Sequence, residues 1–111
     1  MREIKYKALS KGKLYQCHAC NFNNKTALID VDGWHNPQWC TVEEFMQYTG
    51  LHDRLGKEIY EGDILKYQDL CNGIVTYYKA GFIQMINGIP EAIWKDCECI
   101  GNIYENKELL Q

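Results

Sequence analysis

The stretch KEIYEGDILKY (residues 57–67) decides the fold class. Two short runs, residues 57–60 and 64–67, each contain isoleucine and tyrosine, and Glu61-Gly62-Asp63 lies between them. Isoleucine and tyrosine suit half-buried, pleated surfaces. Glycine can adopt the positive φ that a tight corner requires, and aspartate can accept hydrogen bonds from turn amides. The stretch therefore predicts two short strands joined by a tight corner.

The same alternation of short runs and turns continues in both directions. In EIKYKA (residues 3–8), apolar side chains recur at every second position, which is the period of a strand. Asn87-Gly88 is a strong signal for a hairpin. Many short strands separated by glycine turns favour a small β barrel or roll. Further strands are predicted at residues 14–20, 26–31, 74–78, 82–86 and 97–103.

The segment before residue 45 is less regular. Residues 33–41 contain Asn36 and Pro37, which resist both strand ladders and helices, so we expect an irregular loop there. Thr41 followed by Glu44 matches a capping box, which predicts a helix of one or two turns. Another helical turn is expected at residues 106–110. The fold is therefore expected to be mainly β, with at most short helical turns.

The composition is that of one ordinary globular domain. The chain has 111 residues, of which 46% are hydrophobic and 24% charged, and its formal net charge is -3. Without a basic excess, strong non-specific binding to nucleic acid is not expected. No apolar run approaches the ~18 residues of a membrane span, and the first residues contain no signal-peptide core. These features predict a cytoplasmic protein.

Three blocks of the sequence resemble the YopX family. The central block is FMQYTGLHD (residues 45–53) followed by GKEIYEGDIL (residues 56–65). The opening block is MREIKYKA (residues 1–8), and the closing block is IGNIYENKELL (residues 100–110). The blocks occur in the order typical of the family, and together they cover about a third of the chain.

The resemblance implies a small protein of a bacteriophage or prophage, mostly of Gram-positive hosts. It implies a single YopX-like domain over residues 1–111. Within it we expect an N-terminal β-hairpin or small sheet with a variable insertion (residues 1–44) and an SH3-type roll (residues 45–111). The resemblance implies no enzymatic activity. Residues 9–44 depart from the family pattern, so it says nothing about their function.

The residues that carry the resemblance have two interpretations. In the first, they specify a corner of the fold, and Gly50 and Gly62 hold backbone angles that a β-carbon would obstruct. In the second, they line a recognition groove of the kind that aromatic and acidic residues form on SH3-type surfaces. The residues are Tyr48, Thr49, Gly50, Leu51, Asp53, Gly56, Tyr60, Glu61, Gly62, Asp63, Gly101, Asn102 and Tyr104.

Cysteines in the variable segment suggest a zinc site as a minority hypothesis. Cys17 and Cys20 have the two-residue spacing of a zinc knuckle, and His35 and Cys40 could complete a Cys3His set. The alternative is that Cys17 and Cys20 are small strand residues, which an odd separation would point to opposite faces. Cys97 and Cys99 are separated by two and should share a strand face; two buried thiols are the commoner outcome.

The leading functional hypothesis is a protein-interaction module whose face includes Tyr48, Tyr60 and Trp94, with an unknown protein partner or a second copy. The alternative is a small β-barrel module that binds nucleic acid, because lysines interleave with aromatics at residues 5–7, 66–67 and 77–79. The net negative charge makes a nucleic-acid partner the less favoured one. A small thiol enzyme is the third hypothesis. No cofactor is expected apart from zinc.

Overall fold

The computed structural model describes residues 5–67 and 72–110. Cys71 and the first four residues of the opening block, Met1–Ile4, lie outside this range. The described residues form a mainly β structure, as predicted, and the 3-10 helix Lys107–Leu110 confirms the expected helical turn. The strands are β1 (Tyr6–Ser10), β2 (Lys13–Gln16), β3 (Ala19–Asn21), β4 (Thr26–Ile29), β5 (Gln38–Thr41), β6 (Glu44–His52), β7 (Glu58–Tyr60), β8 (Asp63–Lys66), β9 (Gly73–Tyr78), β10 (Gly81–Ile86), β11 (Ile89–Glu91) and β12 (Glu98–Asn102).

A four-stranded antiparallel sheet has the order β2-β1-β6-β7. Strand β6 is nine residues long and occupies an inner position, paired with β1 on one side and β7 on the other. Its register with β7 shifts between Tyr48 and His52, which is the mark of a β-bulge or a related irregularity. This sheet therefore joins the opening block of the sequence to the central block.

A five-stranded antiparallel sheet has the order β11-β10-β9-β8-β12. Asn87 and Gly88 both have positive φ, at 52° and 79°, and connect β10 to β11 as the sequence predicts. The register of β12 against β8 shifts between Cys99 and Gly101, so Ile100 has no partner in the ladder. The sheet is compatible with an SH3-type roll, and the division of the domain at residue 45 stays a prediction.

A three-stranded antiparallel sheet has the order β3-β4-β5. Ala27 and Ile29 of β4 are fully buried, so the face that they share packs on the core. The alternate positions of the same strand, Thr26 and Leu28, are only partly buried and point to the opposite face. We call this second face of β3-β4-β5 the outer face.

The buried side chains form three clusters, each centred on a different part of the fold. The largest joins β7 to the five-stranded sheet and includes a tyrosine and a cysteine. The second joins β1 to the three-stranded sheet, and the third joins β6 to β7. Their members are Ile59, Leu65, Tyr67, Val75 and Cys97; Ala8, Ala27, Ile29 and Val42; and Met46, Tyr48 and Tyr60.

Two predictions for residues 33–44 are wrong. Residues 38–41 form strand β5 rather than an irregular loop, and residues 44–52 form strand β6 in place of a capped helix. The local capping signal is overridden because β6 has strand partners on both sides, and Met46 and Tyr48 alternate into the core. The strand predicted at residues 14–20 is divided into β2 and β3, with Cys17 between them.

Candidate functional site

Asp53 organises the turn between β6 and β7. Its Oδ1 atom accepts hydrogen bonds from the amides of Leu55 and Lys57, each at 2.9 Å. Its Oδ2 atom accepts one from the amide of Cys99 at 3.0 Å, which ties the turn to β12. Burial opposes ionisation, but these amide donors outweigh it and hold the pKa of Asp53 below its usual value. Asp53 therefore fastens two sheets together.

Asp63 fixes the corner between β7 and β8. Its Oδ2 atom accepts a hydrogen bond from the amide of Tyr60 at 2.8 Å. Burial raises the pKa of Asp63, and the Tyr60 amide and the charge of Lys7 offset only part of this effect. Gly62 has a φ of 86°, and a β-carbon there would lie 2.8 Å from the ring of Tyr104. The corner therefore needs glycine for both conformation and space.

The closing block forms a turn built around Asn102. Its Oδ1 atom accepts hydrogen bonds from the amides of Tyr104 and Glu105, at 3.0 and 2.8 Å. A β-carbon at Gly101 would lie 2.6 Å from Oδ1 of Asn106, which accepts the amide of Asn102. The residues of this block thus contact one another closely, as expected if they specify local structure.

The predicted interaction face does not form around the signature tyrosines. Tyr48 and Tyr60 are 4% and 1% exposed, and their rings pack against each other with centroids 5.5 Å apart. Trp94 is 40% exposed, but it lies in a different part of the fold, packed on Tyr67. A face that includes Tyr48 and Tyr60 is therefore wrong, because neither side chain reaches the surface.

The three sequence blocks meet instead at a polar pocket of about 410 Å³. Lys7 comes from the opening block, and Lys57 and Asp63 come from the central block. Residues of the closing block complete the wall. We call this the block pocket, and it is lined by Lys7, Leu14, Gln16, Lys57, Asp63, Cys99, Ile100, Gly101, Asn102, Glu105 and Asn106.

A family model described as YopX protein matches residues 1–111, the whole chain. The chain belongs to the YopX family. The structure is similar to the crystal structure of protein EF1440 from Enterococcus faecalis, with a TM-score of 0.71 and 20% sequence identity over 100% of both chains. That likeness shows the fold alone. No curated protein matches the sequence significantly.

The structure brings together only part of the Cys3His set that was proposed to bind zinc in this YopX-family chain. Cys17 and Cys20 influence each other, because Cys20 contributes to the raised pKa of Cys17. Cys40 is separated from Cys20 by Ala27 of β4, which places them about two interstrand spacings, roughly 9–10 Å, apart. His35 is exposed in the loop after β4. In the described part of the chain, no three His, Cys, Asp or Glu side chains are grouped as metal ligands.

The thiols of the second half lie in the protein interior. Cys97 is fully buried, and Cys99 is partly buried beside Asp63. Burial raises the pKa of Cys97, and it raises that of Cys99 to about 11. Burial and the neighbouring Cys20 likewise raise the pKa of Cys17 to about 12. These three thiols are therefore protonated at neutral pH and are poor nucleophiles.

The outer face carries an apolar row that sequence reasoning missed. Cross-strand register places Ala19, Leu28 and Trp39 side by side on β3, β4 and β5. Trp39 is 56% exposed, and Trp34 in the adjoining loop is 80% exposed. The alternation of β4 was a usable signal, but the pairing of β5 with it, which creates the row, was hidden by the prediction of a loop at residues 33–41.

The lysine–aromatic runs are distributed over two sheets rather than one surface. Lys5 precedes β1 and forms an ion pair with Glu58 of β7. The ammonium group of Lys7 lies 4.3 Å from the centroid of the Tyr60 ring, beside the block pocket. Lys66 and Lys79 belong to the five-stranded sheet and its β9–β10 turn.

No helix among the described residues is long and apolar enough to cross a membrane.

Proposed function

We propose that this chain is a non-enzymatic accessory protein of a phage or prophage, that it acts in the host cytoplasm, and that it is a protein-interaction module. The observation that supports the proposal is the apolar row Ala19–Leu28–Trp39 on the outer face, together with the exposed Trp34 in the loop before β5. The partner is a protein that covers this row with an apolar surface of its own.

Exposing the apolar surface of a tryptophan side chain to water is unfavourable. Large apolar side chains that are grouped on a surface mark interaction sites more often than scattered ones do. Tryptophan is also among the residue types that carry most of the binding energy at protein interfaces. Trp39 stands on an edge strand, β5, so a partner strand could pair with its backbone while covering the row. The outer face thus combines an apolar anchor with an edge strand of the sheet.

The thiol chemistry supports the non-enzymatic part of the proposal. A cysteine enzyme needs a thiolate near neutral pH, and the environments of Cys17, Cys97 and Cys99 favour the thiol instead. Timed alkylation of the native protein with iodoacetamide, read by peptide mass spectrometry, tests this. We expect slow modification of these three residues at pH 7. A rate above that of a free thiol would contradict the proposal.

The interaction is tested by crosslinking in phage-bearing host cells that produce the tagged chain. We expect a protein partner whose crosslinks map to residues 19–41, and we expect the variant Trp34→Ala/Trp39→Ala to lose it. The matched control is Tyr77→Ala/Tyr78→Ala, which removes two exposed aromatic side chains from β9, away from the outer face. Capture that survives the tryptophan substitutions, or crosslinks that map elsewhere, would overturn the assignment of this face.

Nucleic-acid binding is the weaker alternative. It is suggested by the lysines that interleave with aromatics, but one of them, Lys5, is already paired with Glu58. A binding mode that neutralises phosphates predicts retention on DNA or RNA that falls steeply with salt. Salt-sensitive retention that the two tryptophan substitutions leave intact would favour this alternative over the interaction module.

A further inference from the structure

We propose that the block pocket binds a phosphate group of a small phosphorylated molecule, held by Lys7, Lys57 and Asn106. The inference does not depend on the outer face, because the pocket is lined by other residues. Its volume of about 410 Å³ falls in the range of small-molecule sites, and its lining is mostly polar.

The two lysines are the positive charges in the lining of the pocket, and both act on Asp63 in the same lining. In the described part of the chain, neither Lys7 nor Lys57 has a carboxylate at ion-pair distance, whereas Lys5 and Arg54 do. The ammonium group of Lys7 lies over the Tyr60 ring, and Lys7 is one of the residues that line the pocket. Lysine is a common phosphate ligand because its ammonium group acts as a point charge with three donors.

Asn106 supplies a third donor with a fixed orientation. Its Oδ1 atom accepts the amide of Asn102 at 3.1 Å, so its NH2 group occupies the other position. Among the described residues, that NH2 group has no hydrogen-bond acceptor. Three donors on separate parts of one pocket suit a tetrahedral anion, which offers oxygens in several directions. A planar carboxylate would satisfy fewer of them.

Two carboxyl groups also line the pocket, and both are engaged by donors of the chain. Asp63 accepts a hydrogen bond from the amide of Tyr60. Glu105 accepts the amide of Leu14 at 3.4 Å and the side-chain amide of Asn102 at 3.0 Å. The negative charge of these two groups is therefore partly offset by donors of the chain. Lys7 and Lys57 also act on Asp63, so a bound phosphate would share both ammonium groups with that carboxyl group.

The experiment is a titration of the whole chain, labelled with 15N, with sodium phosphate at fixed pH and fixed ionic strength. We expect saturable shifts of the amides of Ile100, Gly101 and Asn102. The variant Lys57→Gln removes an exposed lysine and should weaken binding about tenfold. Lys66→Gln, which removes an exposed lysine of β8 outside the pocket, is the control and should leave binding unchanged.

Further titrations distinguish the source of the phosphate. Tighter binding of glycerol 3-phosphate than of inorganic phosphate would support a phosphorylated small molecule, and equal binding would support a site for the phosphate group alone. The proposal is overturned if neither ligand gives saturable shifts, if citrate or acetate binds as well as phosphate, or if Lys66→Gln weakens binding as much as Lys57→Gln does.

Discussion

At the scale of single residues, the signature acts through backbone geometry more than through surface chemistry. Gly62 has a positive φ and almost touches Tyr104, and the carboxylates of Asp53 and Asp63 accept turn amides. The first role needs glycine, because a β-carbon would disturb the corner. The second needs a side chain that can accept hydrogen bonds from turn amides. This favours the structural interpretation of most of the signature.

Replacing Gly62 tests that interpretation. Gly62→Ala places a β-carbon in a left-handed conformation and 2.8 Å from the Tyr104 ring, so it adds a clash to strain. Gly56→Ala has the same φ of 86° with no atom within 4 Å and serves as the matched control. We expect a loss of about 1–2 kcal/mol for the control and about 1–3 kcal/mol more for Gly62→Ala, from urea unfolding. Equal losses would show that the contact with Tyr104 is unimportant.

The lowered pKa of Asp53 predicts that its effect on stability depends on pH. The pKa of Asp53 is lowered in the folded state. Its contribution to the free energy of unfolding is therefore fully present above the pKa of the unfolded chain and is lost as the pH falls through the pKa of the folded protein. Asp53→Asn turns an NH2 group toward the Cys99 amide and should cost about 1–3 kcal/mol at pH 7. The difference in free energy of unfolding between the variant and the unchanged protein, measured by urea unfolding, should decrease below about pH 4. Asp96→Asn, at an exposed position, should show neither effect.

At the scale of elements, the sequence predicted the β10–β11 hairpin from a local signal. Asn87 and Gly88 both have positive φ and fix this turn and its register. The β9–β10 turn is formed by Lys79 and Ala80, which also have positive φ, and Gly81 is the first residue of β10. Strand β6 was missed because Thr41 and Glu44 match a local helix signal. The pairing of β6 with β1, which lies more than 30 residues earlier, and with β7, which follows it, cannot be read from the local sequence. The apolar row on the outer face depends on the same kind of non-local pairing, so it too needed the structure.

The packing of β9 on β10 gives a prediction for a pair of residues. A β-carbon at Gly73 would overlap Oε1 of Gln84, a fully buried side chain whose Nε2 donates to Tyr67 Oη and the carbonyl of Ala92. Gly73→Ala should therefore cost about 1–3 kcal/mol in urea unfolding.

The control and a double-mutant cycle make this prediction specific. Gly81→Ala, where no atom lies within 4 Å, should change stability by less than about 0.5 kcal/mol. In a Gln84→Ala background, Gly73→Ala should cost less than it does alone, since the obstructing oxygen is gone. An unchanged cost in that background would place the strain in the backbone of β9.

At the scale of the whole molecule, the two halves of the sequence share a sheet and a buried cluster. Strand β6 pairs with β1 over four residue pairs, and Leu9 and Leu14 pack against the cluster of Met46, Tyr48 and Tyr60. The carboxylate of Asp53 then joins the β6–β7 turn to β12 of the five-stranded sheet. Buried contacts therefore join residues before position 45 to residues after it.

This sharing predicts that the chain unfolds as one cooperative unit. Native-state hydrogen exchange should give the same opening free energy for the slowest amides of β1 and β10, although they belong to different sheets. A chain of residues 45–111 alone would expose the apolar side chains that Leu9 and Leu14 cover, and it would leave β6 without β1. We expect its NMR spectrum to lack the dispersion of a folded β protein. A dispersed spectrum, or a lower opening free energy confined to β1, would instead establish the roll as an independent folding unit.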